Sequence, residues 1–140
     1  EQVNRFFTEH SQGKEPVIGI HIRRGDYIKF EGGKYFYDFK DYLALMAGLK
    51  KIPQLHNARF LICSNEEIPD PLFSGSGLNY FKGPGEAILD LYALARCSYI
   101  AGPPSTFSMW ASFYGAVPLL MIHDIKAPFT IDSFKIQAGF

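Results

Sequence analysis

An excess of charge of either sign is the first thing this sequence lacks. Its 140 residues hold 14 basic and 14 acidic side chains, so the formal net charge is zero. A general nucleic-acid or anionic-membrane surface draws on a basic surplus, and none is present. Any anion site must therefore be local. Cysteine is scarce as well: Cys63 and Cys97 each sit beside an apolar segment, without CxxC or Cys/His ligand spacing. Two buried free thiols are expected, zinc is excluded by ligand count, and such sparse usage suits a reducing compartment. No apolar run approaches the roughly 18 residues of a membrane-crossing helix. Phosphate-binding and nucleophile signatures are missing too: there is no GxxxxGK[ST], no GxGxxG and no GxSxG. No D-x-D pair stands ready to hold a divalent cation, so no metal is expected.

Aromatic residues are plentiful, with 13 Phe and 8 Tyr. That exceeds what a small core consumes, so some are expected to face a ligand or a partner domain. The length suits one domain with a real core. Residues 1–16 read as a short helix and a polar turn ending at Pro16. "VIGIHIRR" (17–24) is short, β-branched and bounded by turn residues, the pattern of a buried strand. Residues 25–39 read as a loop with two adjacent glycines. The next helix, over 37–52, carries Phe39, Leu43, Met46 or Ala47, and Leu49 at helical spacing, and Pro53 ends it. "ARFLICSN" (58–65) is a second strand, 66–79 a loop and "NYFKG" (79–83) a short third strand. A helix over 85–98 places Ala87, Leu91 and Leu94 on one face, with Ile88 and Ala95 beside them. "YIAG" (99–102), a helix starting near 105 and "VPLLMI" (117–122) follow. The tail from His123 has no strong pattern.

This alternation predicts an α/β fold with a mostly parallel, Rossmann-like sheet and helices on both faces. Ligands of such sheets bind at the carboxyl edge of the strands. The loops after 24, 65, 82 and 102 are therefore the ones to inspect.

Along the first strand, Val17, Gly19, His21 and Arg23 share one face, and Ile18, Ile20, Ile22 and Arg24 the other. His21 and Arg23 thus point the same way at the carboxyl end. A guanidinium offers a planar fork of donors suited to phosphate and stays charged at physiological pH. The plainer reading is an Arg24–Asp26 surface ion pair above a packed histidine. Arg24-Gly25-Asp26 is also an adhesion tripeptide, but here it leaves a buried strand instead of crowning a loop. In "GPPSTFSMW" (102–110), Ser105 or Thr106 can cap a helix whose free N–H groups form an anion seat, or can simply cap it. Asp90, within the helix over 85–98, is either a solvated carboxylate or a reader of guanine, whose N1–H and N2–H₂ together form a donor pair that adenine lacks.

These segments together resemble the donor-binding part of the GDP-fucose-dependent fucosyltransferases, the α-1,2-, α-1,6- and protein O-fucosyltransferase group. "HIRRGDY" is similar to the H-x-R-R-x-D motif, and its trailing GDY is closest to the α-1,2 enzymes. "ILDLYALARCSYIAGPPSTFSMW" is similar to the later motif, an acidic helix residue followed by a buried strand and an S-[ST]-F-S-x-W stretch. The resemblance covers residues 17–115. It implies the C-terminal, nucleotide-binding half of a B-type glycosyltransferase, residues 1–140 forming one donor domain and an acceptor domain lying outside it, in cis or in trans. It implies inverting, metal-independent transfer of fucose from GDP-fucose to a glycan or glycoprotein acceptor, with no cofactor. Arg23 would bind the β-phosphate and stabilise departing GDP, with Arg24 in support. His21 and Asp90 would contact guanine or ribose, and Ser105, Thr106 and Phe107 would wrap the diphosphate. Glu31 matches the general base of the α-1,6 enzymes, with Asp26 the other nearby carboxylate, and Tyr35 or Phe36 would offer a platform for sugar. A bacterial parent would act in the cytoplasm, a eukaryotic one in the secretory lumen. Two other readings stay open: a non-catalytic module that binds a GDP-sugar or nucleotide, and a transferase using another nucleotide sugar.

Overall fold

A computed structural model describes residues 2–10 and 15–138. The polar turn expected before Pro16 lies largely outside the described residues. Eleven elements follow in chain order: α1 (Gln2–His10), β1 (Val17–Ile22), α2 (Phe39–Leu49), β2 (Arg59–Ser64), α3 (Asp70–Ser74), β3 (Tyr80–Lys82), α4 (Ala87–Ala95), β4 (Tyr99–Gly102), α5 (Thr106–Gly115), β5 (Pro118–Met121) and β6 (Lys135–Ile136). Their sheet has the order β3-β2-β1-β4-β5-β6. The pairs among β1 to β5 are parallel, and β6 closes one edge antiparallel to β5. The α/β reading of the sequence holds.

Alternation along the strands divides the core in two. Ile18, Ile20 and Ile22 of β1 join Phe60 and Ile62 of β2 against Tyr42, Leu45, Met46 and Leu49 of α2. On the opposite face, Val17 of β1, Leu61 and Cys63 of β2 and Ile100 of β4 meet α1, α4 and α5 through Val3, Phe7, Ala93, Leu94 and Ala111. Gly19 shares this second face. A Cβ there would overlap the Leu94 side chain and press on the Cys97 sulfur, so glycine lets α4 seat on the sheet. Cys63 and Cys97 are both buried and free, as expected.

Helix faces depart from the sequence reading in detail. In α2 the buried residues are Tyr42, Leu45, Met46 and Leu49, while Ala47 is exposed. In α4 they are Asp90, Ala93 and Leu94, while Ile88 is 56% exposed. The loop expected over 66–79 contains the short helix α3, whose Phe73 is buried in the core. Some of the aromatic surplus lies outside the core: Trp110 and Tyr114 of α5 stack with centroids 4.7 Å apart, and Tyr92 of α4 meets both edge-on.

Candidate functional site

The strand order reverses at the β1–β4 pair. From β1 the chain builds β2 and β3 to one side, then crosses to β4 and β5 on the other. A crevice outside the carboxyl ends of β1 and β4 is the expected result. Beside it, at the carboxyl ends of β1 and β2, opens a cavity of about 400 Å³ lined by His21, Arg23, Ser64, Asn65, Asp90 and Phe107, with Cys63, Gly85 and Ala87 completing its wall. A second cavity of about 420 Å³ shares Ser64, Asn65, Gly85 and Asp90 with the first, and extends to Glu66, Asp70 and Lys82. Loops at all four strand ends singled out from the sequence meet here or beside it.

His21 and Arg23 do point the same way. The His21 ring is 4% exposed and stacks on Phe107 with centroids 4.8 Å apart and planes inclined by 28°. Its Nδ1 is buried without a hydrogen-bond partner. Burial, reinforced by the neighbouring Arg23 charge, lowers its pKa from 6.5 to about 3, so the ring is neutral at physiological pH. Arg23 lies at the cavity with its fork turned to Asp26: Nε donates to Oδ1 at 3.3 Å and Nη2 to Oδ2 at 3.0 Å. That bond holds the Asp26 carboxyl below its usual range. The ion pair anticipated between Arg24 and Asp26 thus forms with Arg23 instead. Below it, the Tyr27 ring lies 5.1 Å from the guanidinium carbon, and its hydroxyl donates to the Pro104 carbonyl at 2.5 Å. Tyr27 thereby ties the loop after β1 to the loop after β4.

Arg24 leaves the strand on the other face, as alternation requires. Its Nε donates to Glu66 at 2.8 Å and its Nη1 to the Tyr37 carbonyl at 2.7 Å. The rings of Phe36 and Phe39 each lie 4.4 Å from its guanidinium carbon. It does not line the cavity. Its side chain is a strut between the β1–α2 loop, the start of α2 and the loop after β2, and Phe36 is part of that strut.

At the start of α5, Ser105 is the N-cap, and its Oγ accepts from the Phe107 N–H at 3.1 Å. Ser105 is buried and Thr106 exposed, and neither lines the cavity. The helix opening reaches the site through Phe107. Asp90, expected on a helix face, is buried: its Oδ1 accepts from the Gly85 N–H at 2.9 Å and its carboxylate lines both cavities. Burial raises its pKa, and the Gly85 bond offsets part of that rise. Gly83 packs so closely that a Cβ there would stand 2.9 Å from both Asp90 Oδ1 and the Cys63 sulfur.

Glu31 is exposed in the 3₁₀ segment Phe30–Gly33, where it holds φ 50° and ψ 41°, an uncommon left-handed conformation for a residue with a Cβ. It lines neither cavity. Tyr35 stands edge-on to His123, with centroids 6.1 Å apart. Asn65 is a residue the sequence reading passed over, although the loop it begins was singled out. Its place at the carboxyl end of β2, beside the arginine turn, is the signal that would have found it.

A family model described as Glycosyl transferase family 11 matches residues 5–132. The chain belongs to that family. Across all of this family 11 chain it is 24% identical, over 172 aligned positions, to galactoside α-(1,2)-fucosyltransferase 1 of Oryctolagus cuniculus. Among solved structures it resembles fucosyltransferase NodZ from Bradyrhizobium, with a TM-score of 0.63 and 22% identity over 91% of this chain and 44% of that one. NodZ α-1,6-fucosyltransferase soaked with GDP-fucose aligns with a TM-score of 0.61 and 22% identity, covering 86% of this chain and 42% of that one. The family 11 chain spans 45% of the rabbit enzyme's length.

Proposed function

We propose that this chain is the donor-binding half of a fucosyltransferase, holding GDP-fucose in the cavity at the carboxyl ends of β1 and β2. The observation that carries the reading is the set of groups around that cavity: Arg23, neutral His21 stacked on Phe107, and buried Asp90. Each suits one part of a nucleotide diphosphate sugar. Arg23 brings a permanent cation to the diphosphate, and the amino end of α5 adds the positive pole of a ten-residue helix nearby. Asp90 presents a desolvated carboxylate that can accept from the paired N–H groups of guanine. Neutral His21 is free to bond a sugar hydroxyl or a base edge without adding charge.

The chemistry follows from that arrangement. Breaking the bond between fucose C1 and the β-phosphate oxygen develops positive charge on the sugar and negative charge on departing GDP. A guanidinium aimed at that oxygen lowers the barrier, and loss of one such donor typically costs about 3–4 kcal/mol. An acceptor hydroxyl attacking C1 from the opposite side inverts the centre and gives its proton to a carboxylate, for which Glu31 and Asp26 of the loop after β1 are the candidates. Arg23 and the helix pole supply the positive charge at the leaving group, so the transfer proceeds without a metal. The acceptor half, and the glycan or glycoprotein it holds, lie in a second domain in cis or in trans. The chain's likeness to a galactoside α-(1,2)-fucosyltransferase and to NodZ α-1,6-fucosyltransferase soaked with GDP-fucose favours the same donor.

Calorimetric titration with GDP, ADP and UDP, each with and without a chelator, tests this. GDP should bind well ahead of the other two and with the same affinity in chelator. Equal binding of all three removes Asp90 as a base reader, and no binding of any overturns the donor-site reading.

A further inference from the structure

Residue Arg23 is useful only if its backbone is held, and the strand does not hold it. The β1–β2 ladder ends at the Ile22–Ser64 pair, and the last main-chain link is a long one, Asn65 N–H to the Ile22 carbonyl at 3.4 Å. Beyond it the strands part. Within the turn that follows, the Tyr27 N–H reaches the Arg24 carbonyl and the Lys29 N–H the Asp26 carbonyl, both only at 3.3 Å. Gly25 adds a left-handed φ of 62°.

Where the ladder stops, the Asn65 side chain continues it. Its Oδ1 accepts from the Arg24 N–H at 2.9 Å, and its Nδ2 donates to the Arg24 carbonyl, also at 2.9 Å. A planar side-chain amide carries one acceptor and a donor pair at fixed spacing, so it can pair with both main-chain groups of one residue as a neighbouring strand would. The same Nδ2 lies 3.4 Å from Asp26 Oδ1, the oxygen that receives Arg23 Nε. One amide thus fixes the backbone on one side of Gly25 and touches the carboxylate on the other. Asn65 also lines both cavities.

We propose that Asn65, by pairing its side-chain amide with the backbone of Arg24, is a positioning residue that presents the Arg23 guanidinium to the donor cavity. The proposal deepens the donor-site reading and rests on it for the identity of the ligand. Asn65 does not act on the sugar or the phosphate. It reduces the ordering that the arginine turn must undergo when an anion arrives.

The test uses the whole chain and two readouts on Asn65→Ala and Asn65→Asp. The first needs no ligand: amide hydrogen exchange at Arg24, and the Arg23 Nε–H resonance of the ¹⁵N-labelled protein. Asn65→Ala should speed exchange at Arg24 about tenfold and broaden or shift the Arg23 signal, since one net hydrogen bond is lost from the amide. Asn65→Asp keeps the acceptor for the Arg24 N–H and loses both Nδ2 donations, so its Arg24 exchange should stay near wild type while its Arg23 signal moves. The second readout is GDP affinity, expected to fall about tenfold in Asn65→Ala with the unfolding midpoint within a few degrees of wild type. Unchanged exchange at Arg24 in Asn65→Ala, or an unchanged Arg23 signal in either variant, overturns the proposal whether or not GDP binds. A lowered unfolding midpoint with GDP affinity intact also overturns it, leaving Asn65 a stability residue only. Failure of the wild-type chain to bind GDP, with the exchange and Arg23 effects present, overturns the donor reading and supports the clamp.

Discussion

The imidazole of His21 and the ring of Phe107 lie nearly face to face, 4.8 Å apart, although 86 positions separate them in the chain. That contact joins the carboxyl end of β1 to the first turn of α5 across the point where strand order reverses. It also shuts water away from His21, which is why the ring stays neutral. Stacking and proton affinity are two faces of one burial.

An acid sensitivity follows, and its sign can be worked out. The folded His21 pKa is depressed to about 3 from 6.5. Between those values the unfolded chain binds a proton that the folded chain refuses, so stability falls as pH drops through 6.5 toward 3. The loss is about 2 kcal/mol by pH 5. His21→Phe keeps an aromatic ring against Phe107 and removes the titration. Its unfolding midpoint should drop less between pH 7.5 and pH 5 than that of wild type. Equal drops in both proteins would show that His21 takes up a proton without unfolding.

Arg23→Ala separates binding from folding. The Arg23–Asp26 pair is solvent-facing, with side chains 29% and 62% exposed, so its loss should leave the unfolding midpoint close to that of wild type. On the donor-site proposal, removing this cation should weaken GDP by about 100-fold or more. Titration of the variant beside a thermal melt checks both halves. Undiminished affinity means that the strand-end charge serves the loop alone.

If Asp90 reads the base as proposed, accepting from the donor pair that only guanine presents, Asp90→Ala should narrow the preference for GDP over ADP by about two powers of ten. Because burial raises the Asp90 pKa, the preference of the wild type should also fade on acidification before an ordinary carboxylate would protonate. Competition titrations with both nucleotides, run from neutral to mildly acidic pH, measure both effects. A preference that survives Asp90→Ala assigns base selection to other groups.

Much of this was legible in the residues, for identifiable reasons. A buried parallel strand shows a period of two, so β1 alone told which of two adjacent arginines faces the cavity with His21. Glycine, proline and serine at 102–105 marked the end of β4 and the cap of α5. Three-dimensional partners were harder to see. Nothing local distinguishes a solvated Asp90 from a buried one, since its burial comes from Gly83, Gly85 and Cys63 on other segments. The resemblance gave Arg24 a supporting part beside Arg23, and its contacts with Glu66, Phe36 and Phe39 come from segments that only the fold brings together. The two-residue strand β6 and the five-residue helix α3 are too short to carry a period.

Gly102 and Gly115 offer a paired test of whether the β1–β4 junction shapes the site. A Cβ on Gly102 would stand 3.0 Å from both Cβ and the carbonyl oxygen of His21, on the neighbouring strand. A Cβ on Gly115 would overlap the Ala95 carbonyl, at the far end of α5 from Phe107. Both are backbone clashes that no rotamer relieves, so each alanine variant should cost about 1–3 kcal/mol of stability. Their effects on ligand should diverge. Gly102→Ala must separate β4 from β1 or displace His21, which moves Phe107 and the mouth of the cavity, so GDP affinity should fall along with the melting temperature. Gly115→Ala strains the α4–α5 contact away from the crevice, so at a temperature where it is folded it should bind GDP as wild type does. Equal affinity losses in the two variants would show that global loosening, and not the geometry of the switch point, limits binding.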